Sequence, residues 1–234
     1  MKFRLSVAAL MLGAVVSAGP VMAKPKMTDV AEAPTKLPTK VDMDPTHDPD
    51  DVLVLDLSNG GRVLIRLMPQ WAPKHVERIQ TLTRQGFYDG VIFHRVIDDF
   101  MAQTGDPTGT GQGGSKLPDL EAEFNDIPNV RGTVAMARTN DPNSANSQFF
   151  IDFYPRFSLD HNYTVFGRVI AGMNFVDEIH RGEPPKDPTK ILQASLYSQN
   201  KPAPAMPAPS TDAPVTLDQL GNGNPAPARA PGSH

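Results

Sequence analysis

Between residues 50 and 197, apolar positions recur mostly with a period of two, interrupted twice by a period near 3.6. "DVLVLDLSNGGRVLIRL" alternates on both sides of Asn59-Gly60, a pair suited to the positive φ of a tight turn, and predicts a hairpin of two strands. "APKHVERIQTLTRQG" then reads as a helix. Pro73 suits its first turn, Val76, Ile79 and Leu82 or Thr83 form one apolar stripe, and Gly86 can take the left-handed position that ends it. Strands follow at Val91 to Ile97, Met101 to Gln103, Val134 to Ala137, Phe149 to Phe153, Val165 to Ile170 and Ile191 to Leu196, with a second helix at Asn174 to His180 stopped by Gly182 and Pro184. Many short strands with two helices predict a closed or nearly closed antiparallel barrel whose open ends the helices cover.

This pattern stops at both ends of the segment. Lys2 and Arg4 precede an apolar run from Leu5 to Val16, and small residues lead to Val21-Met22-Ala23. Residues 1–23 therefore read as a cleaved export signal; the run is shorter than the ~20 residues of a spanning helix, which argues against an anchor. Residues 24–49 carry five prolines among Lys, Thr and Asp and read as a linker. Residues 198–234 are almost all Pro, Ala, Gly, Ser and polar residues, too poor in apolar surface to offset ordering entropy, and read as a disordered tail; the competing reading is a polyproline ligand for a partner.

Composition narrows the function classes. The chain has no cysteine, so thiol chemistry and disulfides are excluded. Its formal charge of −4 becomes −6 once Lys2 and Arg4 leave with the signal, a poor match for nucleic acid or an anionic membrane surface. "TGTGQGG", Thr108 to Gly114, lacks the Lys-Ser/Thr and helix start of a phosphate loop and reads as a flexible surface loop. The acidic stretch Asp42 to Asp51 with His47 lacks the spacing of a calcium loop, and neither a His-Glu-x-x-His helix nor a Gly-x-Ser-x-Gly elbow is present.

Two runs pair chemistry with alternation. In "FHRVIDDFMAQTGD", Arg95 is expected to share a face with Phe93 and Ile97, leaving His94 with Ile92 and Val96 as a buried, hydrogen-bonded histidine. In "NSQFFID", Gln148 and Phe150 share one face and Phe149 and Ile151 the other. If the second pair fills the core, the first either lines a ligand groove or is covered by a loop.

At this point the chain resembles the cyclophilins, and within them the exported bacterial branch. "GFYDGVIFHRVIDDFMAQTGD", "EFNDIPNVRGTVAMART", "NSANSQFFI" and "SLDHNYTVFGRVIAGM" stand in that family's order and spacing. The resemblance implies a mainly β fold, an eight-stranded antiparallel closed barrel capped by two α-helices, and peptidyl-prolyl cis-trans isomerase activity. It implies Arg95 as the catalytic cation with Gln103 beside it. Phe100, Met101, Phe150, Leu159 and Tyr163 would hold the proline, Gln148 would flank it, and Ala137 and the backbone at Arg138 would hold the peptide main chain. No cofactor or metal is implied; the partners are proline-containing unfolded or flexible polypeptides, bound by a monomer in the periplasm or after secretion. The alternative is a proline-binding module or holdase with little turnover. Asp98-Asp99 stands where the family has Pro-Gly, Thr104 replaces a glycine, and Ser158, with Phe157 beside it, stands at a position that is tryptophan in cyclosporin-sensitive members, implying weaker cyclosporin binding.

Overall fold

The computed structural model describes residues 39–205; the export signal, most of the linker and residues 206–234 of the tail lie outside them. The elements are β1 (Val52–Leu57), β2 (Arg62–Leu67), α1 (Pro73–Arg84), β3 (Arg95–Ile97), β4 (Met101–Thr104), β5 (Thr133–Met136), β6 (Phe149–Asp152), β7 (Val165–Ala171), α2 (Met173–Asp177) and β8 (Ile191–Leu196). The strands form one antiparallel sheet in the order β3-β4-β6-β5-β7-β2-β1-β8.

The expected closure is only partial. No ladder joins β3 to β8. The sheet curls until its edges meet through one isolated bridge, Ile92 to Lys190, and the bonds Gly90 N to Ile191 O, Ile191 N to Val91 O and Phe93 N to Thr189 O, at 2.7–2.9 Å. The predicted strand Val91 to Ile97 is split for this reason: its first half faces the seam and its second half pairs with β4. Thr104, which departs from the family glycine, adds to the seam by donating its hydroxyl to Ile92 O at 2.9 Å.

Alternate side chains enter two apolar clusters. Val134, Met136, Phe149, Ile151 and Phe166 point into the barrel, where Val76, Ile79 and Leu82 of α1 also pack. Their neighbours Ala135, Phe150 and Val165, with Met101, form a second cluster on the other face, together with Met68, Trp71 and Ile127. The Glu123 carboxylate serves α1 as its N-terminal acceptor, taking bonds from Lys74 N at 3.2 Å and His75 N at 3.1 Å. α2 ends three residues before the predicted His180, because the next turn is given to the seam: Ile179 is buried and His180 N bonds to Thr189 Oγ1.

The last residues of the segment read as linker and the first of the segment read as tail are parts of the domain. The buried Arg66 guanidinium donates to the carbonyls of Asp42, Asp44, His47 and Asp48, which lays residues 42–48 along the sheet as a strap. After β8, Lys201 O and Pro202 O accept bonds from Arg62 and Gln193.

Candidate functional site

The site lies on the outer face of the curled sheet, where β3, β4, β6 and β5 run side by side. Register places Arg95 opposite Gln103, Gln103 opposite Phe150, and Phe150 opposite Ala135. Four neighbouring strands thus present a cation, an amide, a phenyl ring and a methyl group in one row. Arg95, Phe100, Met101, Gln103, Ala137, Arg138, Phe150, Leu159 and Tyr163 line a cavity of about 120 Å³. A second cavity of about 300 Å³ shares Gln103, Ala137 and Arg138 with the first and adds Gln148. Nine of the ten residues singled out from the sequence therefore surround one pocket, and Gln148 stands at its neighbour.

The pocket's floor and walls are fixed by ring contacts. Phe150 meets Tyr163 edge-on, centroids 5.5 Å apart at 84°, and the Arg138 guanidinium lies 4.7 Å from the Tyr163 centroid. Arg156 covers Phe100 at 5.2 Å and donates to Asp99 O at 2.7 Å. The Asp98-Asp99 turn is closed by Phe100 N to Ile97 O at 3.2 Å. Asp99 has φ 54°, the left-handed conformation that Asp tolerates better than most residues and that glycine supplies in the family pattern. Asp98 pairs with Arg181 at 3.2 Å, away from the pocket. Leu159 reaches the pocket, whereas Phe157 is 65% exposed and does not line it.

The amides form a chain. Gln103 Nε2 donates to Gln148 Oε1 at 2.9 Å, and Gln148 Nε2 donates to Gly111 O and Gly113 O at 3.1 and 2.7 Å. Those carbonyls belong to the loop read as flexible from its glycines. It is instead wound around the buried Asp106 carboxylate, which accepts from the backbone of Thr108, Thr110, Gly111 and Gly113 and from the Thr108 hydroxyl. Burial opposes ionisation of Asp106, but these bonds outweigh it and hold the carboxyl at about 2. A Cβ on Gly113 would stand 2.2 Å from Asp106 Oδ1, so the glycine is required by that close approach.

His94 departs from its expectation. It is buried under this loop as expected, but neither ring nitrogen makes a hydrogen bond of ordinary geometry among the described residues; burial lowers its pKa, against the opposing pull of Asp106 and of the nearby Gln148 amide. Phe93 departs as well: it is fully buried in the inner core with Val96 and shares no face with Arg95, because the chain leaves the seam at His94 before joining β4.

Three neighbours of the site escaped the sequence reading. Glu183 accepts a bond from Arg95 Nε at 2.7 Å across 88 residues, and nothing local in the chain announces it. Asp106 does carry a signal, an acid two residues before a run of Thr and Gly rich in free N–H groups. Asp152 stands opposite Met101, with neither carboxylate oxygen hydrogen-bonded among the described residues; burial pushes it up to about 8, against the opposing pull of Arg156 and Arg168.

An aliphatic and aromatic pocket with a guanidinium at its edge can hold a pyrrolidine ring beside a fixed hydrogen-bond donor. Among the described residues no cluster of three or more His, Cys, Asp or Glu is placed to hold a metal, and no helix is long and apolar enough to cross a membrane.

Comparison with known proteins agrees with this geometry. A probable peptidyl-prolyl cis-trans isomerase of Brucella suis is 47% identical over 170 residues, covering 66% of this chain and 86% of the relative. A peptidyl-prolyl cis-trans isomerase of Schizosaccharomyces pombe is 41% identical over 143 residues, covering 57% and 92%. The crystal structure of a cyclophilin from Hirschia baltica matches with a TM-score of 0.61 at 30% identity, over 66% of this chain and 77% of that one. A cyclophilin-type isomerase from Cryptosporidium parvum, crystallised in the presence of the dipeptide Ala-Pro, matches with a TM-score of 0.58 at 28% identity, over 62% and 98%. The family model for cyclophilin type peptidyl-prolyl cis-trans isomerase matches residues 52–196, and the chain belongs to that family of enzymes.

Proposed function

We propose that this isomerase assists the folding of exported proteins by rotating X-Pro bonds in unfolded or flexible segments, with Arg95 as the catalytic residue. The observation that carries the assignment is the placing of the Arg95 guanidinium beside the rings and aliphatic side chains of a pocket of proline size. An X-Pro amide rotates against a barrier of ~18–20 kcal/mol, roughly 0.01 per second at the upper end. As the bond twists, conjugation is lost and the prolyl nitrogen gains a lone pair. Arg95 donates to that lone pair from a cationic guanidinium whose donors lie in a fixed plane. Phe100, Met101, Phe150, Leu159 and Tyr163 grip the pyrrolidine ring while the preceding carbonyl swings. Ala137 and the Arg138 backbone hold the peptide chain, and Gln103, braced by Gln148, orients the rotating amide. Only contacts stronger in the twisted state accelerate the step, so gripping proline alone is insufficient.

A charge-assisted hydrogen bond contributes about 1.5–3 kcal/mol, or about tenfold to 150-fold in rate. Arg95→Ala is therefore expected to lower X-Pro isomerisation of a short Ala-Pro peptide by that factor, read by exchange NMR, with an unchanged circular dichroism spectrum. Equal rates in the two proteins would sink the assignment. The export signal read in residues 1–23 supports work in the periplasm or after secretion, with no membrane attachment once it is removed. The protein acts as a monomer. Its cyclosporin binding is weak, since Ser158 stands at the tryptophan position and the neighbouring Phe157 does not line the pocket.

A further inference from the structure

Residues 95–98 are tied to residues 181–183 at three successive points. Val96 and Gly182 exchange both backbone hydrogen bonds at 2.8 Å. On one side of that bridge Arg95 Nε donates to Glu183 Oε2 at 2.7 Å; on the other, Arg181 Nε donates to Asp98 Oδ1 at 3.2 Å. The far segment is itself well located. Arg181 lies 4.2 Å from the Phe153 centroid and donates to Asp177 O at 2.8 Å. Gly182 has φ 141°, and a Cβ there would stand 2.6 Å from Pro185 Cα, so only glycine lets the chain pass. The Glu183 carboxylate is thus delivered to Arg95 by main chain that is pinned immediately before it, at Arg181 and Gly182.

Glu183 is the only hydrogen-bond partner of the Arg95 guanidinium among the described residues. The pair is partly exposed, and pairs of that kind add little to stability. Its geometry has another use. A guanidinium has five N–H donors in one plane, and holding Nε fixes that plane while leaving the four Nη hydrogens for a ligand. The arginine also gives up much of its rotamer freedom before substrate arrives, which lowers the entropy left to lose at the twisted state. We propose that Glu183 is a positioning residue for Arg95, setting the plane in which the guanidinium meets the prolyl nitrogen. The inference rests on the reading of Arg95 as the catalytic donor.

The test compares full-length wild type with Glu183→Ala, Glu183→Gln, Arg95→Ala and the Arg95→Ala/Glu183→Ala double variant on one Ala-Pro peptide. Glu183→Ala is expected to lower kcat about twofold to fivefold, the range of an exposed ion pair, with KM unchanged. Glu183→Gln keeps an acceptor and recovers part of the loss. In the Arg95→Ala background, removing Glu183 has no further effect. The Arg95 Nε–H signal in nitrogen-15 spectra, slow to exchange in wild type, exchanges faster in Glu183→Ala. An unchanged kcat in Glu183→Ala, or the same loss without Arg95, overturns the proposal while the isomerase assignment stands. If Arg95→Ala itself leaves the rate intact, the catalytic reading fails and the positioning role falls with it.

Discussion

Phe149 and Phe150 are neighbours in β6 and almost equally shut away from solvent, at 0% and 4%, yet they belong to different halves of the molecule. Phe149 points into the barrel, edge-on to Tyr88 at 5.7 Å and to Phe166 at 6.1 Å. Phe150 points outward, meets Tyr163 edge-on and lines a cavity. The pleat separates adjacent letters into two environments: the inner face spends apolar area on cohesion, the outer on a surface left open to a ligand. How deeply a residue is buried does not distinguish the two uses. What packs around it does.

The largest expected effect breaks the inner half. Phe149→Ala leaves a void among rings that cannot collapse into it, and should cost about 3–5 kcal/mol, read as a lower urea midpoint. Phe150→Ala removes a wall of a pocket that already opens outward, where water can enter the new space. It should cost about 2 kcal/mol of stability while lowering kcat/KM for an Ala-Pro peptide more than tenfold, and equal stability losses for the two variants would erase the distinction.

The smallest effect, taken per pH unit, concerns the polar member of the outer face, Asp152. Burial raises its pKa in the folded chain to about 8, whereas the unfolded chain releases that proton near the ordinary carboxylate value. The folded state therefore binds the extra proton between about pH 4 and pH 8. Stability from this group is complete below that window, falls as pH rises through it by at most about 1.4 kcal/mol per unit, and levels off above it. Asp152→Asn should flatten the slope in urea titrations at pH 5 to 8; an identical slope would show that the carboxyl is ionised when folded.

Periodicity made the strands and α1 legible, since alternation and the 3.6-residue stripe reflect burial on one side of each element. Long motifs made the pocket legible, because its lining comes from a few runs whose spacing is set by the ladder. What stayed hidden depends on contacts between distant segments. Glu183 reaches Arg95 through a backbone exchange between Val96 and Gly182, which uses groups that every residue carries. The split at His94 was hidden for the same reason: one apolar run serves two partners, the seam on one side and β4 on the other. The Asp98-Asp99 turn could be found in the sequence but not explained by it until Arg181 and Arg156 were seen to answer its side chain and its carbonyl.

The strap over residues 42–48 is grasped by Arg66 through carbonyl oxygens alone. A clasp of that kind reads a path and ignores spelling. Substitutions along the strap that keep its course leave the grip intact, while a single change at Arg66 releases all of it. The instruction for where this stretch lies is therefore written in β2, and the strap's own letters, Asp42 and Asp44 above all, serve only to fold its turns.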